Sequence, residues 1–398
     1  MRTIESVVAV GWDSHRKFSQ VTLRDAEARV VERRRIEHAD RDAMRAVLAA
    51  WPAGTPVVLE ASFGWDWISD ELAAAGHEPQ LARSTTMAAW RKTAGRAKSN
   101  RLDADLLSEA PFEKRSGWRV WLPPVKVRER RELLRHRIAL LQIQTMLKNR
   151  IHALLHRAGV LHAFSDLFGV AGRRFLQLLA AGEDPRLRPA ARETLLCELQ
   201  LLDQVRWHVA RATREFRRQV QASPAAELLR TLPGVSWILA YTLLAEIGEI
   251  DRFRSGRNLA SYALLAPVAD DSGDDDGSSP KGRRVGWIGR ATLKWAFIEA
   301  AHIAARCDAR FREIFNRRTD NGRCDRGRGY VAVARHLAMT AAAMWRHGQA
   351  YSPTPPARPG SRPGRRSTAS KTDASNRPGT GQPEHPVAPA ASPRQAAK

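Results

Sequence analysis

Val7-Val8-Ala9-Val10-Gly11-Trp12-Asp13 is a run of β-branched and small apolar residues that ends in a carboxylate. A short apolar run of this composition predicts a buried strand. Thr55-Pro56-Val57-Val58-Leu59-Glu60 repeats the pattern and again closes on an acid. Two further strand-like runs, Phe18 to Leu23 and Val30 to Ile36, lie between them, followed by a helix that Asp40 caps and that runs to Trp51. Downstream, a helix from about Asp66 to Ala75 stops at Gly76, Pro79 to Ala82 forms one more strand, and Arg101 to Ala110 returns to helix. Strands alternating with helices predict an α/β unit over residues 1–115.

The two strand-terminal acids, together with Asp103 on the later helix, suggest a metal site at one sheet edge. Asp13, Glu60 and Asp103 are distant in sequence, but strand ends of a single sheet converge. Magnesium takes oxygen ligands in near-octahedral geometry, and paired ions can activate a nucleophile and stabilise a leaving oxygen in phosphoryl transfer. The competing reading is that acids end strands for solubility. Both readings stand on these residues alone.

Lys and Arg number 65 against 42 Asp and Glu, a formal charge of +23. That excess points to a polyanionic partner, nucleic acid first and an anionic membrane surface second. The membrane reading is the weaker one, because no apolar run is long enough to span a bilayer and the N-terminal MRTIESVVAV reads as strand rather than signal peptide. Cys197, Cys307 and Cys324 are far apart and odd in number, which fits neither a disulfide framework nor a zinc site and favours a cytoplasmic protein.

From residue 123 to 222 the composition shifts to long Leu- and Arg-rich helices. Leu133, Leu134, Ile138, Leu141, Leu147, Ile151, Leu154 and Leu155 recur at helical spacing, with Arg130, Arg131, Arg135, Arg137, Lys148 and Arg150 between them. A second long helix is expected from Ala190 to Gln219. The pair predicts an antiparallel hairpin or a coiled-coil dimer arm, its basic residues either tracking a phosphate backbone or forming a solvated face.

Residues 226–349 form another helical unit. Leu228 to Leu232, then Pro233-Gly234 and the apolar helix Trp237 to Ile247, make a helix-hairpin-helix pattern, in which the amides around Gly234 can meet phosphate. Next comes an acidic, glycine-rich loop. Ser272 precedes Gly273 among Asp270, Asp271, Asp274, Asp275 and Asp276, and Lys281, Arg283 and Arg284 follow. The glycines let the serine stand proud, and the basic residues are suited to hold a phosphodiester. An ordinary polar loop is the alternative. Helices follow from about Arg290 to Arg306 and Val331 to His347. The stretch 351–398, rich in Pro, Ser, Ala and Arg, predicts a disordered basic tail.

In their order and spacing these motifs resemble the bacterial transposases of the insertion-sequence-110 family, the DEDD transposases. The resemblance covers about Val7 to Trp345. It rests on Gly11-Trp12-Asp13-Ser14-His15, Leu59-Glu60-Ala61-Ser62 and Lys98-Ser99-Asn100-Arg101-Leu102-Asp103-Ala104 in the first unit, and on Leu147 to Leu155 in the arm. The last unit adds Leu232-Pro233-Gly234-Val235, Leu244 to Gly248, Pro267 to Gly273 and Trp295 to Ala301.

The resemblance implies an RNase-H-like N-terminal domain with four acids and divalent metal (Mg2+ or Mn2+), a coiled-coil arm, and a C-terminal transposase domain with a catalytic serine. It implies donor and target DNA as partners, a homo-oligomer (dimer or tetramer), and, for some members, a structured guide RNA. Carried over by position, Asp13 and Glu60 are the first two acids, Asp103 the fourth and Ser272 the serine. The third acid falls at Asn100, which offers a carbonyl oxygen but no charge. Asp105 is a candidate substitute, two residues from Asp103 and so on another side of the helix. Two other functions compete with the transposase: a nucleic-acid-binding remnant or regulator, which Asn100 favours, and a metal-dependent junction nuclease that needs the acids but not Ser272.

Overall fold

The computed structural model describes residues 3–95, 99–113, 117–266, 290–321, 323 and 325–353. Ser272, Lys281, Arg283 and Arg284 lie outside the described residues, as does the chain from residue 354.

The N-terminal third is built on six strands, β1 (Ala9–Ser14), β2 (Phe18–Arg24), β3 (Val30–Glu37), β4 (Pro56–Glu60), β5 (Glu78–Ala82) and β6 (Arg119–Val120). They lie in the order β3-β2-β1-β4-β5-β6. The first three form an antiparallel meander, β4 and β5 run parallel to β1, and β6 is an antiparallel edge. This mixed sheet is consistent with the expected RNase-H-like domain. Its helices are α1 (Arg41–Ala49), α2 (Trp65–Ala74), α3 (Ser84–Thr93) and α4 (Asn100–Glu109). Asp40 caps α1 as the sequence predicts, accepting from the Ala43 amide at 2.8 Å.

Side chains alternate across a strand, so each strand feeds two layers. Val10, Trp12, Val57 and Leu59 pack with Met44 and Leu48 of α1 and Ile68 and Leu72 of α2. Val58 and Ala82 face the other way, onto Leu106 and Leu107 of α4. Gly11 shares that second face, and a Cβ there would sit 2.2 Å from the Ala104 carbonyl oxygen and 2.2 Å from the Ser108 nitrogen. Only glycine lets the α4 backbone rest on β1 this closely.

The middle of the chain is α5 (Val125–Arg157), α6 (Val170–Ala181) and α7 (Pro189–Gln221). Arg137 of α5 donates to Thr213 of α7, and Arg150 pairs with Glu198, so the two long helices run antiparallel within one chain. Of the two arm geometries the sequence allowed, the intrachain hairpin is the one described. Helix α6 closes one end of it, adding Leu176 and Leu179 to a core with Ile151, Leu155 and Leu195.

The remaining helices are α8 (Pro224–Arg230), α9 (Trp237–Ile247), α10 (Gly256–Tyr262), α11 (Ala291–Cys307), α12 (Ala309–Thr319) and α13 (Arg326–His347). Helix α9 packs against α5, α7, α8 and α11 and is buried at every position from Leu239 to Ile247. Two arginines satisfy its C-terminal carbonyls, where the helix dipole favours positive charge. Arg131 donates to the oxygens of Ala245 and Glu246, each at 3.0 Å, and Arg252 to that of Ile247 at 2.9 Å.

Helix α13 starts five residues before the expected Val331, because Asp325 caps it at the Gly327 amide and Gly329 leaves room for Phe315 and Thr319. The expected tail boundary also shifts. Tyr351 stacks on Phe311, donates its amide to Thr231 Oγ1 at 2.9 Å and its hydroxyl to Asp308 Oδ2 at 2.8 Å, so it belongs to the helical unit. Among the described residues no helix is long and apolar enough to cross a membrane.

Candidate acid site and nucleic-acid interface

Two features of the sheet bring the predicted acids together. Parallel pairing sets Trp12 opposite Leu59, so Asp13 and Glu60 follow at neighbouring strand ends. The close approach of α4 at Gly11 then brings Asp103, near the start of that helix, to the same edge. Asp13 is 9% exposed. Burial is the main cause that pushes its carboxyl up to about 6, and the negative charges of Asp103 and Glu60 add to it against the opposing pull of His15.

Two of the acids already have a basic side chain of the protein beside them. His15 Nε2 lies 3.0 Å from Asp13 Oδ2, within ion-pair distance but not aligned as a hydrogen bond. Arg91, from α3, donates to Asp103 Oδ1 at 2.9 Å. Ser14 Oγ donates to the Phe63 carbonyl at 2.8 Å and ties the end of β1 to the loop that follows Glu60.

Asn100 is the first residue of α4 and is exposed, one turn before Asp103 on the same side of the helix. Asp105 points elsewhere, as its spacing predicts. It is buried against the meander, accepting from Thr22 at 2.8 Å and from Arg33 at 2.8 and 3.0 Å. Burial pushes its carboxyl up, but these bonds and the charges of Arg33 and Arg24 outweigh that and hold it below the ordinary value.

The oxygen-only donor set suits a hard divalent cation. The buried Asp13 Oδ2, with no hydrogen bond, is the atom on this edge most in need of one. The carboxylates do not close into a cage: among the described residues no group of three or more His, Cys, Asp or Glu is arranged to hold a metal ion.

The predicted nucleic-acid contacts in the described part of the chain have packing roles. Gly234 has a φ of +82°, and a Cβ there would meet the Ala300 oxygen of α11 at 2.4 Å, so the turn requires glycine on two counts. Lys148 is half-buried over the Phe168 ring, 5.0 Å from its centroid. Arg150 pairs with the buried Glu198, and its own side chain stays 60% exposed. Flanking the serine segment, Arg290 donates its backbone amide to the Tyr262 carbonyl and its Nε to the Tyr262 hydroxyl, both at 3.0 Å. Tyr262, a few residues before that segment, and Arg290, directly after it, therefore meet.

Two family models match this chain in the order of its units. One, described as a transposase model of the DEDD type, matches residues 10–159, which carry the sheet, the acid edge and α5. The other, described as the transposase IS116/IS110/IS902 family, matches residues 226–316, from α8 into α12. The chain belongs to the IS110 family of transposases. Relatives in the family include a transposase for insertion sequence element IS1111A from Coxiella burnetii, 25% identical over 69% of this chain and 72% of that protein. A probable family 20 transposase of Pseudomonas aeruginosa is 26% identical over 75% of this chain and 85% of its own. An insertion element IS116 protein of Streptomyces clavuligerus is 27% identical, and the match spans only 35% of its length. In this IS110-family chain, Gly11 and Arg91 are the residues the acid edge depends on that sequence reading missed. Gly11 stood inside a quoted motif, whereas nothing in the sequence around Arg91 marks it.

Proposed function

We propose that the protein is the transposase of an insertion sequence, which cuts and rejoins DNA with Ser272 as nucleophile. The observation that carries this reading is that both family models match one chain in register with an acid edge assembled from Asp13, Glu60 and Asp103. In the reaction, Ser272 Oγ forms a bond to phosphorus as a bridging P–O bond of the DNA breaks. The serine proton passes to a base and the leaving oxygen is protonated. The phosphoserine link conserves the ester energy for rejoining.

Lys281, Arg283 and Arg284 hold the phosphodiester, joined by the amides around Gly234 and by Lys148 and Arg150 where the arm meets backbone phosphate. Asp13, Glu60 and Asp103, with Asn100, are the residues that hold Mg2+ or Mn2+, and a bound ion supplies charge neutralisation at the phosphate. The working units are an RNase-H-like domain (1–115), a helical arm (123–222) and a transposase domain (226–349), with a basic stretch after them. The protein acts in the cytoplasm as a homo-oligomer on element ends and target DNA, with a structured guide RNA as a further candidate partner.

The test is a covalent adduct. Full-length protein incubated with its element-junction DNA yields a denaturant-stable protein–DNA species, and Ser272→Ala abolishes it while DNA binding stays near wild type. Undiminished adduct in the variant would overturn the assignment. A wild type that binds DNA but forms no adduct would favour the remnant or regulator instead, and metal-dependent cleavage that survives Ser272→Ala would favour the nuclease.

A further inference from the structure

Between α5 and α7 lies a groove of about 640 Å³, to which α5 contributes His136 and α7 contributes His208, Arg211, Arg214, Glu215 and Arg218. The α7 residues recur every three or four positions, so they share one side of the helix over about 15 Å. Glu215, the acid in the groove, accepts from Arg218 at 2.8 and 2.7 Å and from the Gln219 amide at 2.8 Å. Within a turn of His136, Arg137 turns inward to Thr213, while Glu132 and Arg135 are both exposed and offset one another. Arg211 and Arg214 are left exposed, with no ion pair among the described residues. Beside them the Trp207 ring is 51% exposed. His208 meets it edge-on at 4.8 Å, and the Arg211 guanidinium lies 5.7 Å from its centroid. Core packing does not account for this ring.

We propose that this groove binds an unpaired nucleic-acid strand, with Arg211 and Arg214 on its phosphates and Trp207 stacked on a base. A positive groove that tracks the backbone, with an aromatic face beside it, is the combination that holds single strands. In a duplex each base face is covered by its neighbours, so only an unpaired strand can offer one to Trp207. An acidic protein segment would engage the arginines but would have no use for the ring. His136 and His208 add hydrogen-bond donors along the same path. DNA and RNA share the phosphate and the base, so the sugar distinguishes them. The groove lies about three turns along α5 from Lys148 and Arg150 and is a separate surface. The proposal rests on the reading that the partner is nucleic acid, not on the chemistry of Ser272.

The test titrates full-length protein into labelled oligo(dT), oligo(U) and a mixed-sequence duplex, read by fluorescence anisotropy over a salt series. Trp207→Ala is expected to weaken binding of both oligonucleotides at least about fivefold and of the duplex less than about twofold. The Arg211→Gln, Arg214→Gln double variant should lower the single-strand salt slope by about 1.4, and lysine at both positions should keep it. Iodouracil-bearing oligonucleotides, irradiated on the wild type, should cross-link to the peptide that carries Trp207. The tighter of the two oligonucleotides identifies the sugar. Thermal melts establish that each variant is folded. A folded Trp207→Ala that binds both oligonucleotides like wild type would overturn the proposal. So would an equal loss on the duplex, which would make this a groove for paired backbone, or equally effective displacement by polyglutamate, which would reassign it to an acidic protein segment. Cross-linking at Trp207 in a protein that forms no Ser272 adduct would support this proposal while overturning the serine assignment. A folded wild type that binds none of the three probes would overturn the nucleic-acid reading, and the role of the groove with it.

Discussion

The neutral form of Asp13 is favoured in the folded protein because its carboxyl is buried beside Asp103 and Glu60. Its value is raised from 3.8 to about 6, so the stabilisation it gives is complete below about pH 4 and is lost as pH rises through 6. Above that the ionised carboxylate costs up to about 3 kcal/mol. Asp13→Asn is close to isosteric with the protonated acid. Thermal melts of the metal-free protein should therefore show the variant more stable than wild type near pH 8 and equal to it near pH 4. An equal shift at both pH values would mean that the effect is packing, not charge. Asp105 shows how far sequence reading carries at this scale. Its spacing alone places it away from Asp103, yet only the structure shows that it is a buried clamp between α4 and the meander, tied to Thr22 and Arg33 from strands over seventy residues earlier.

Helices and strands with a strong apolar run or pattern were legible in the sequence. Helix α9 spans Trp237–Ile247 as read, and Phe18–Arg24, Val30–Glu37 and Pro56–Glu60 are strands where β-branched runs predict them. Helix α3 was not legible, since Met87 is its only buried residue and it presents no periodic face. The acids could be named from their strand ends, but their meeting depends on α4 lying against β1, which no local pattern records. Gly11→Ala tests that contact directly. The new methyl would stand 2.2 Å from backbone atoms of α4, which cannot yield as a side-chain tip would. The expected loss is more than about 3 kcal/mol, read as a lower urea midpoint, because helix and strand must separate along their length. An unchanged midpoint would show that α4 does not rest on Gly11.

At the scale of the whole molecule, the +23 charge is unevenly available. In the hairpin and the helical unit many arginines are already committed: Arg150 to Glu198, Arg173 to Asp203, Arg131 and Arg252 to the end of α9. The residues after Pro353 hold eight Lys and Arg against two acids, a concentration of positive charge suited to phosphate. Each phosphate neutralised on duplex DNA contributes about −0.9 to the slope of log affinity against log salt. The full chain should show a steep, linear fall in DNA affinity with salt. A chain ending at Pro353 should show a shallower slope and weaker nonspecific binding, measured by fluorescence anisotropy over a salt series. Its melting temperature and its Ser272 adduct yield should match the full chain, because Tyr351 and its bonds to Thr231 and Asp308 are retained. A truncated chain with the full salt slope would place the phosphate contacts on the folded units, and one that loses adduct formation would give the tail a part in the reaction.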